Sequence, residues 1–129
     1  MENTRSITLE HVKNGDIIYI DACSQCGSKA KITLEGVSPT IELIKSKDSC
    51  DLARLDGKFS AEKKDDGPVQ LKISIENGSP QMKVIKTGTI LSDIEGTEKG
   101  LQYSFCIEDS TDNDFNDYFI SVVAWHKKN

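Results

Sequence analysis

The sequence predicts an all-β protein, an antiparallel β-sandwich of about nine strands, and three observations carry that reading. Val69 to Glu76 alternates apolar and polar residues with period two, the signature of a strand with one wet face. Short runs rich in Val, Ile, Thr and aromatic residues recur along the chain, parted by Gly-, Asn- and Asp-containing turns. No long stretch carries the 3.6-residue spacing of an amphipathic helix, which leaves a sandwich or barrel as the way to bury so many short strands.

Taken in order, the turn Asn14-Gly15 precedes a strand at Ile17 to Ile20, and a second strand covers Lys31 to Leu34 before the turn Glu35-Gly36. Thr40 to Lys45 reads as a third strand. Asp48 to Arg54 is the one segment with the composition of a helical turn, and Asp56-Gly57 reads as another turn. Leu71, Ile73 and Ile75 share one face of the strand Val69 to Glu76. The turn sequence Asn77-Gly78-Ser79-Pro80 and the extended pattern from Met82 to Thr89 then predict a hairpin. The last two strands, Leu101 to Ile107 and Tyr118 to Trp125, are the most apolar of the set.

At 129 residues the chain has the length of one domain, 1–129, that buries roughly two-thirds of its unfolded surface without staples. No apolar run approaches the roughly 20 residues of a membrane helix, and the opening Met1 to Ser6 lacks the basic-then-apolar pattern of a classical export signal. The expectation is a protein without membrane insertion, cytoplasmic or released by a non-classical route. A net charge of -5 argues against nucleic acid as a partner, since phosphate binding needs clustered Lys and Arg. Cys23, Cys26, Cys50 and Cys106 are expected as free thiols, with Cys106 packed as a small buried residue. Cys23-Ser24-Gln25-Cys26 has the spacing of half a zinc site, but no second such pair or HxxxH completes it.

The charge is distributed unevenly. Between Glu108 and Asp117 stand five carboxylates, at Glu108, Asp109, Asp112, Asp114 and Asp117, with no Lys or Arg among them. Two apolar strands flank this segment directly, so it is clamped at both ends. At an effective dielectric near 20, two carboxylates about 5 Å apart repel by roughly 3 kcal/mol, a cost that a divalent cation removes. Asp, Asn and Glu offer hard oxygens, which calcium accepts in numbers of six to eight, whereas zinc prefers nitrogen and sulfur. An EF-hand is excluded: counted from Asp112, its sixth position holds Asp117 rather than Gly and its twelfth holds Val123 rather than Glu. Two plainer readings stand beside calcium binding for function, a solvated acidic loop and a calcium ion that only stabilises the fold.

The segment Glu108-Asp109-x-Thr111-Asp112-Asn113-Asp114-Phe115-Asn116-Asp117, with the β-branched strand ending at Trp125, resembles the signature of the calcium-mediated, fucose-binding lectin II family of bacterial lectins. Gly67 to Pro80 resembles the same family's strand and its asparagine-glycine-x-proline turn, and a looser likeness runs from Ile7 to Leu34. The resemblance implies a nine-stranded antiparallel sandwich holding two calcium ions, to which a fucose- or mannose-type sugar binds through its hydroxyls. By residue it implies Glu108, Asp112, Asp114 and Asp117 on one ion and Asp114, Asn116 and Asp117 on the other. Ser24 would add a backbone oxygen to the second ion. Sugar contacts would come from Asp109, Asp112, Asp114 and Asp117 and from the loop Ser24-Gln25-Cys26. The chain departs from the family at that loop and at its end, Trp125-His126-Lys127-Lys128-Asn129 in place of Trp-Pro-x-Gly. A homodimer through the C-terminal strand is the implied assembly.

Catalysis is the weaker expectation. A glycosidase needs two carboxylates about 5 to 9 Å apart, and the acidic loop has no second, distant acidic cluster to work with. His11 and His126 belong to no nucleophile-base pattern and are expected at the surface, and Trp125 is expected in the core, near the site. The rival functional class is a calcium-stabilised adhesion or interaction module without a sugar pocket.

Overall fold

The computed structural model describes residues 2–46, 50–76, 82–108 and 117–128. Eleven strands and no helices make up these residues: β1 Glu2–Leu9, β2 Ile17–Ser24, β3 Ala30–Glu35, β4 Ile41–Lys45, β5 Ala53–Arg54, β6 Asp56–Gly57, β7 Ser60–Glu62, β8 Val69–Glu76, β9 Lys83–Ser92, β10 Glu98–Glu108 and β11 Tyr118–Trp125. A five-stranded sheet runs β1-β8-β3-β4-β6, and a six-stranded sheet runs β5-β2-β11-β10-β9 with β7 also on β2. Every pairing is antiparallel. No helix among the described residues is long and apolar enough to cross a membrane.

The alternating patterns fix the inner faces as expected. Leu71, Ile73 and Ile75 of β8 are fully buried, as are Phe105 and Ile107 of β10 and Ile120 of β11, and they meet between the sheets. Each such side chain contributes about 1.5–3 kcal/mol by leaving water, so the inner faces dominate the stability. No buried side-chain nitrogen or oxygen among the described residues lacks a hydrogen-bond partner.

Four local expectations are corrected. The segments Val69 to Glu76 and Met82 to Thr89 do not form a hairpin. β8 pairs with β1 and β3, while β9 pairs with β10 in the opposite sheet. Alternation told which face of β8 is buried and not which strand sits beside it; the turn sequence 77–81 lies outside the described residues. Asp48 to Arg54 contributes no helical turn within its described part, where Ala53–Arg54 instead pairs with β2. Asp56-Gly57 is a short strand against β4, and Gly is required there because a Cβ would sit 2.1 Å from the Glu42 carbonyl oxygen. Cys106 points outward and is half-buried. The edge strand β1 was not foreseen, since Glu2 to Ser6 is polar and acquires its strand character from pairing with β8. At the Glu35-Gly36 turn the expectation holds: Gly36 has φ +86° and no room for a Cβ beside Pro68.

Candidate functional site

Three neighbouring strands of the six-stranded sheet bring Ser24, Gln25, Glu108 and Asp117, four of the predicted site residues, to one end of the sheet. Ser24 closes β2 opposite Tyr118, which opens β11, and Tyr118 in turn lies opposite Ile107 near the end of β10. Beyond the ladder, the Gln25 N–H donates to the Asp117 carbonyl at 3.0 Å and the Asp117 N–H donates to the Ile107 carbonyl at 3.2 Å. Ser24, Gln25, Glu108 and Asp117 are thereby tied into one rim by backbone bonds alone. Asp109, Asp112, Asp114 and Asn116 lie outside the described residues.

Glu108 is fully buried, with no exposed surface, and Ser24 is 1% exposed. A carboxylate taken fully out of water has to be held by partners, which makes the end of β10 a polar position inside the fold. By register its cross-strand neighbour is Lys83. The turn after β2 is built from inside: the Ser24 hydroxyl accepts the Cys26 N–H at 3.2 Å. The Cys26 thiol donates to the Tyr118 hydroxyl at 3.1 Å, and that hydroxyl donates to the Ser28 carbonyl at 3.0 Å. Cys26 therefore turns its side chain into the protein, whereas Gln25 is exposed. Glu108, Asp117 and the Ser24 carbonyl offer hard oxygens, a donor chemistry that fits calcium. Among the described residues no three His, Cys, Asp or Glu side chains group as a metal centre, so the half-zinc spacing at Cys23 and Cys26 gains no further ligands there.

The opposite end of the same sheet holds a polar cluster that sequence reasoning missed. His126, expected at the surface, has a side chain only 14% exposed. Its Nδ1 lies 2.8 Å from the Asp16 carboxylate, its Nε2 hydrogen-bonds the Glu98 carboxylate, and its backbone N–H donates to the Lys99 carbonyl. Asp16 is itself buried and accepts the Lys13 N–H at 2.9 Å. Burial opposes a charge on His126, but the hydrogen bonds it makes to the Asp16 and Glu98 carboxylates outweigh it and raise the imidazole pKa above its ordinary 6.5. Glu98 is lowered from 4.5, chiefly by that bond to His126. A cleft of about 740 Å³ opens here between Lys13, Thr97, Lys99, Trp125 and Lys127. Nothing local marks this cluster in the sequence, because its members stand 28 and 110 residues apart. Trp125 is 46% exposed rather than in the core, and it lies at this end, about 23 Å along β11 from Tyr118 at roughly 3.3 Å per residue.

The fold is one known from solved lectin structures. The chain is similar to the Ralstonia solanacearum high-affinity mannose-binding lectin, with a TM-score of 0.64, 21% identity, and coverage of 95% of this chain and 96% of that one. It is similar to the C-terminal domain of a Burkholderia cenocepacia lectin at a TM-score of 0.65 and 17% identity, over 99% and 100% of the two chains. A Chromobacterium violaceum lectin in complex with α-methyl-fucoside matches at a TM-score of 0.60 and 17% identity, over 95% and 96%. No protein-family model and no curated protein matches the sequence. The β-sandwich expected from the sequence resemblance is the fold found.

Proposed function

We propose that this protein is a calcium-dependent lectin, a binding protein rather than an enzyme, that holds a mannose- or fucose-type monosaccharide at the rim formed by Ser24, Gln25, Glu108 and Asp117. The observation that carries the reading is the buried carboxylate of Glu108 at the head of a ten-residue segment with five carboxylates and no basic residue. The three solved lectins of the same fold, two of them described by a mannose or fucose ligand, support the sugar class.

In this reading Glu108, Asp112, Asp114, Asn116 and Asp117, with a backbone oxygen of Ser24, hold one or two calcium ions. Bound calcium supplies open coordination positions that neutral sugar hydroxyls can fill in place of water. Asp109 and the remaining oxygens of Asp112, Asp114 and Asp117 accept hydrogen bonds from those hydroxyls, and charge-assisted bonds of this kind are about twice as strong as neutral ones. The loop Ser24-Gln25-Cys26 selects among sugars through the exposed Gln25 and through backbone groups, the Cys26 thiol being engaged with Tyr118. A homodimer through the C-terminal strand belongs to the same reading.

Titration calorimetry of calcium-loaded protein against mannose, fucose and galactose tests it. Binding of mannose or fucose that disappears with chelator and in Asp114→Asn is the expected result. Calcium-dependent stabilisation without binding of any sugar would sink the lectin reading and leave a structural calcium site.

A further inference from the structure

We propose that the outer face of the six-stranded sheet carries a second carbohydrate site, independent of metal, in which Asp21 and Arg54 bind the hydroxyls of a neutral sugar ring. The two outer faces of the sandwich differ in kind. On the five-stranded sheet the outward positions include Lys31, Glu35, Glu42, Lys72 and Glu76. On the six-stranded sheet the outward side chains of β2, β11 and β10, from Tyr19 to Cys23, Phe119 to Val123 and Gln102 to Cys106, include one charge, Asp21. Its partner Arg54 arrives from β5, opposite Cys23.

The pair is held in place on several sides. Arg54 Nε donates to Asp21 Oδ1 at 2.8 Å, and the guanidinium lies 3.8 Å over the centre of the Phe59 ring. The Ala22 N–H donates to the same Oδ1 at 2.9 Å. Beyond that Nε–Oδ1 bond, Asp21 brings a second acceptor oxygen and Arg54 its Nη donors to the pair. A vicinal diol, whose hydroxyls both donate and accept, matches that pair. Because the two charges cancel, the site suits a neutral ligand better than an ionic one.

Two adjoining hollows, of about 220 and about 360 Å³, share Asp21, Arg54 and Ser121 as their floor. Tyr19 and Phe59 wall one, and Cys23 and Phe119 wall the other. Tyr19 is 53% exposed and Phe119 43% exposed. Aromatic walls around a few converging polar groups are the composition of a ligand pocket, and these hollows are at or below the lower end of drug-sized pockets, roughly 300–1000 Å³. The C–H face of a sugar ring supplies the apolar surface to such walls, and its hydroxyls reach the polar floor.

The test is saturation-transfer NMR and titration of the full chain in excess chelator with the methyl glycosides of mannose, fucose and galactose and with N-acetylglucosamine. Weak binding of at least one glycoside should persist without metal. Asp21→Ala and Phe119→Ala, both at exposed positions, should each weaken that binding about tenfold or more. Phe119→Tyr should retain it, and the loop variant Asp114→Asn should leave it unchanged. If the chelated protein binds none of the four glycosides, or binds one with no change in Asp21→Ala and Phe119→Ala, the outer-face site is wrong. The same holds if the two variants act only by dissociating a dimer of this chain. Failure here with calcium-dependent binding intact leaves the rim reading standing, and the reverse pattern overturns the rim alone.

Discussion

The two ends of the six-stranded sheet set buried acid in different sequence surroundings. At the C-terminal end Asp16 is buried and Glu98 half-buried, and the chain supplies its own partner: His126 sits between them, with Lys13 within 3.8 Å of Glu98. At the rim end Glu108 is buried at the start of an acidic segment that has no Lys, Arg or His between 108 and 117, and register places one Lys opposite it. The first arrangement closes its electrostatics internally. The second concentrates carboxylates along the sequence with no basic residue among them, the composition on which the proposed calcium site rests.

The largest expected effect separates the two ends directly. Calcium at about one hundred times its dissociation constant should raise stability by about 2.7 kcal/mol, read as an upward shift of several degrees in Tm, and chelator should reverse it. Asp112→Asn with Asp114→Asn should abolish the shift, whereas His126→Gln should leave it intact. A calcium response that depends on His126 would break the contrast.

Next in size is the loss of the internal clamp. His126→Ala removes bonds to two carboxylates and leaves the buried Asp16 with the Lys13 N–H alone, and it should cost about 2 kcal/mol in urea unfolding, with or without calcium. A cost near zero would mean that the clamp is ornamental to the fold.

The pH dependence sharpens the same point. His126 has its folded pKa raised, so its contribution is fully present below the unfolded value of 6.5 and is lost as pH rises through the folded value. Glu98 has its folded pKa lowered, so its contribution is present above 4.5 and is lost as pH falls through the folded value. The clamp is therefore fullest between pH 4.5 and 6.5. Stability measured in chelator should decline above that window in the native chain, and His126→Gln should flatten the decline.

The smallest effect concerns Trp125. Half-exposed at the clamp end, it should tolerate replacement by Phe within about 0.5 kcal/mol. Its fluorescence should follow titration of His126 and stay unchanged on adding calcium. A calcium-dependent emission change would bring the two ends into communication.

Much of the architecture was legible because strand periodicity is a local property. Leu71, Ile73 and Ile75, and Leu101 to Ile107, declare their buried faces within a few residues, and the sheets bury those faces. Partner choice was not legible. The strand Val69 to Glu76 pairs with neighbours other than the one its turn sequence suggests, since a turn sequence signals a reversal of the chain and says nothing of which sheet receives it. The polar β1 and the two- and three-residue strands β5, β6 and β7 lack a pattern of their own and form because a partner strand offers unpaired backbone groups.

The site divides along the same line. By itself the sequence determined the all-β class, the inner faces of the long strands and the concentration of carboxylates between Glu108 and Asp117, because composition and short-range spacing suffice for each. Tertiary structure decided that Ser24 and Gln25 share a rim with Asp117, that Cys26 turns inward to Tyr118, that Trp125 sits at the other end, and that Asp16, Glu98 and His126 meet. Those relations join residues from 28 to 110 positions apart. Only the packing of two whole sheets, a sum over many weak non-local contacts, fixes which of the possible neighbours each residue receives.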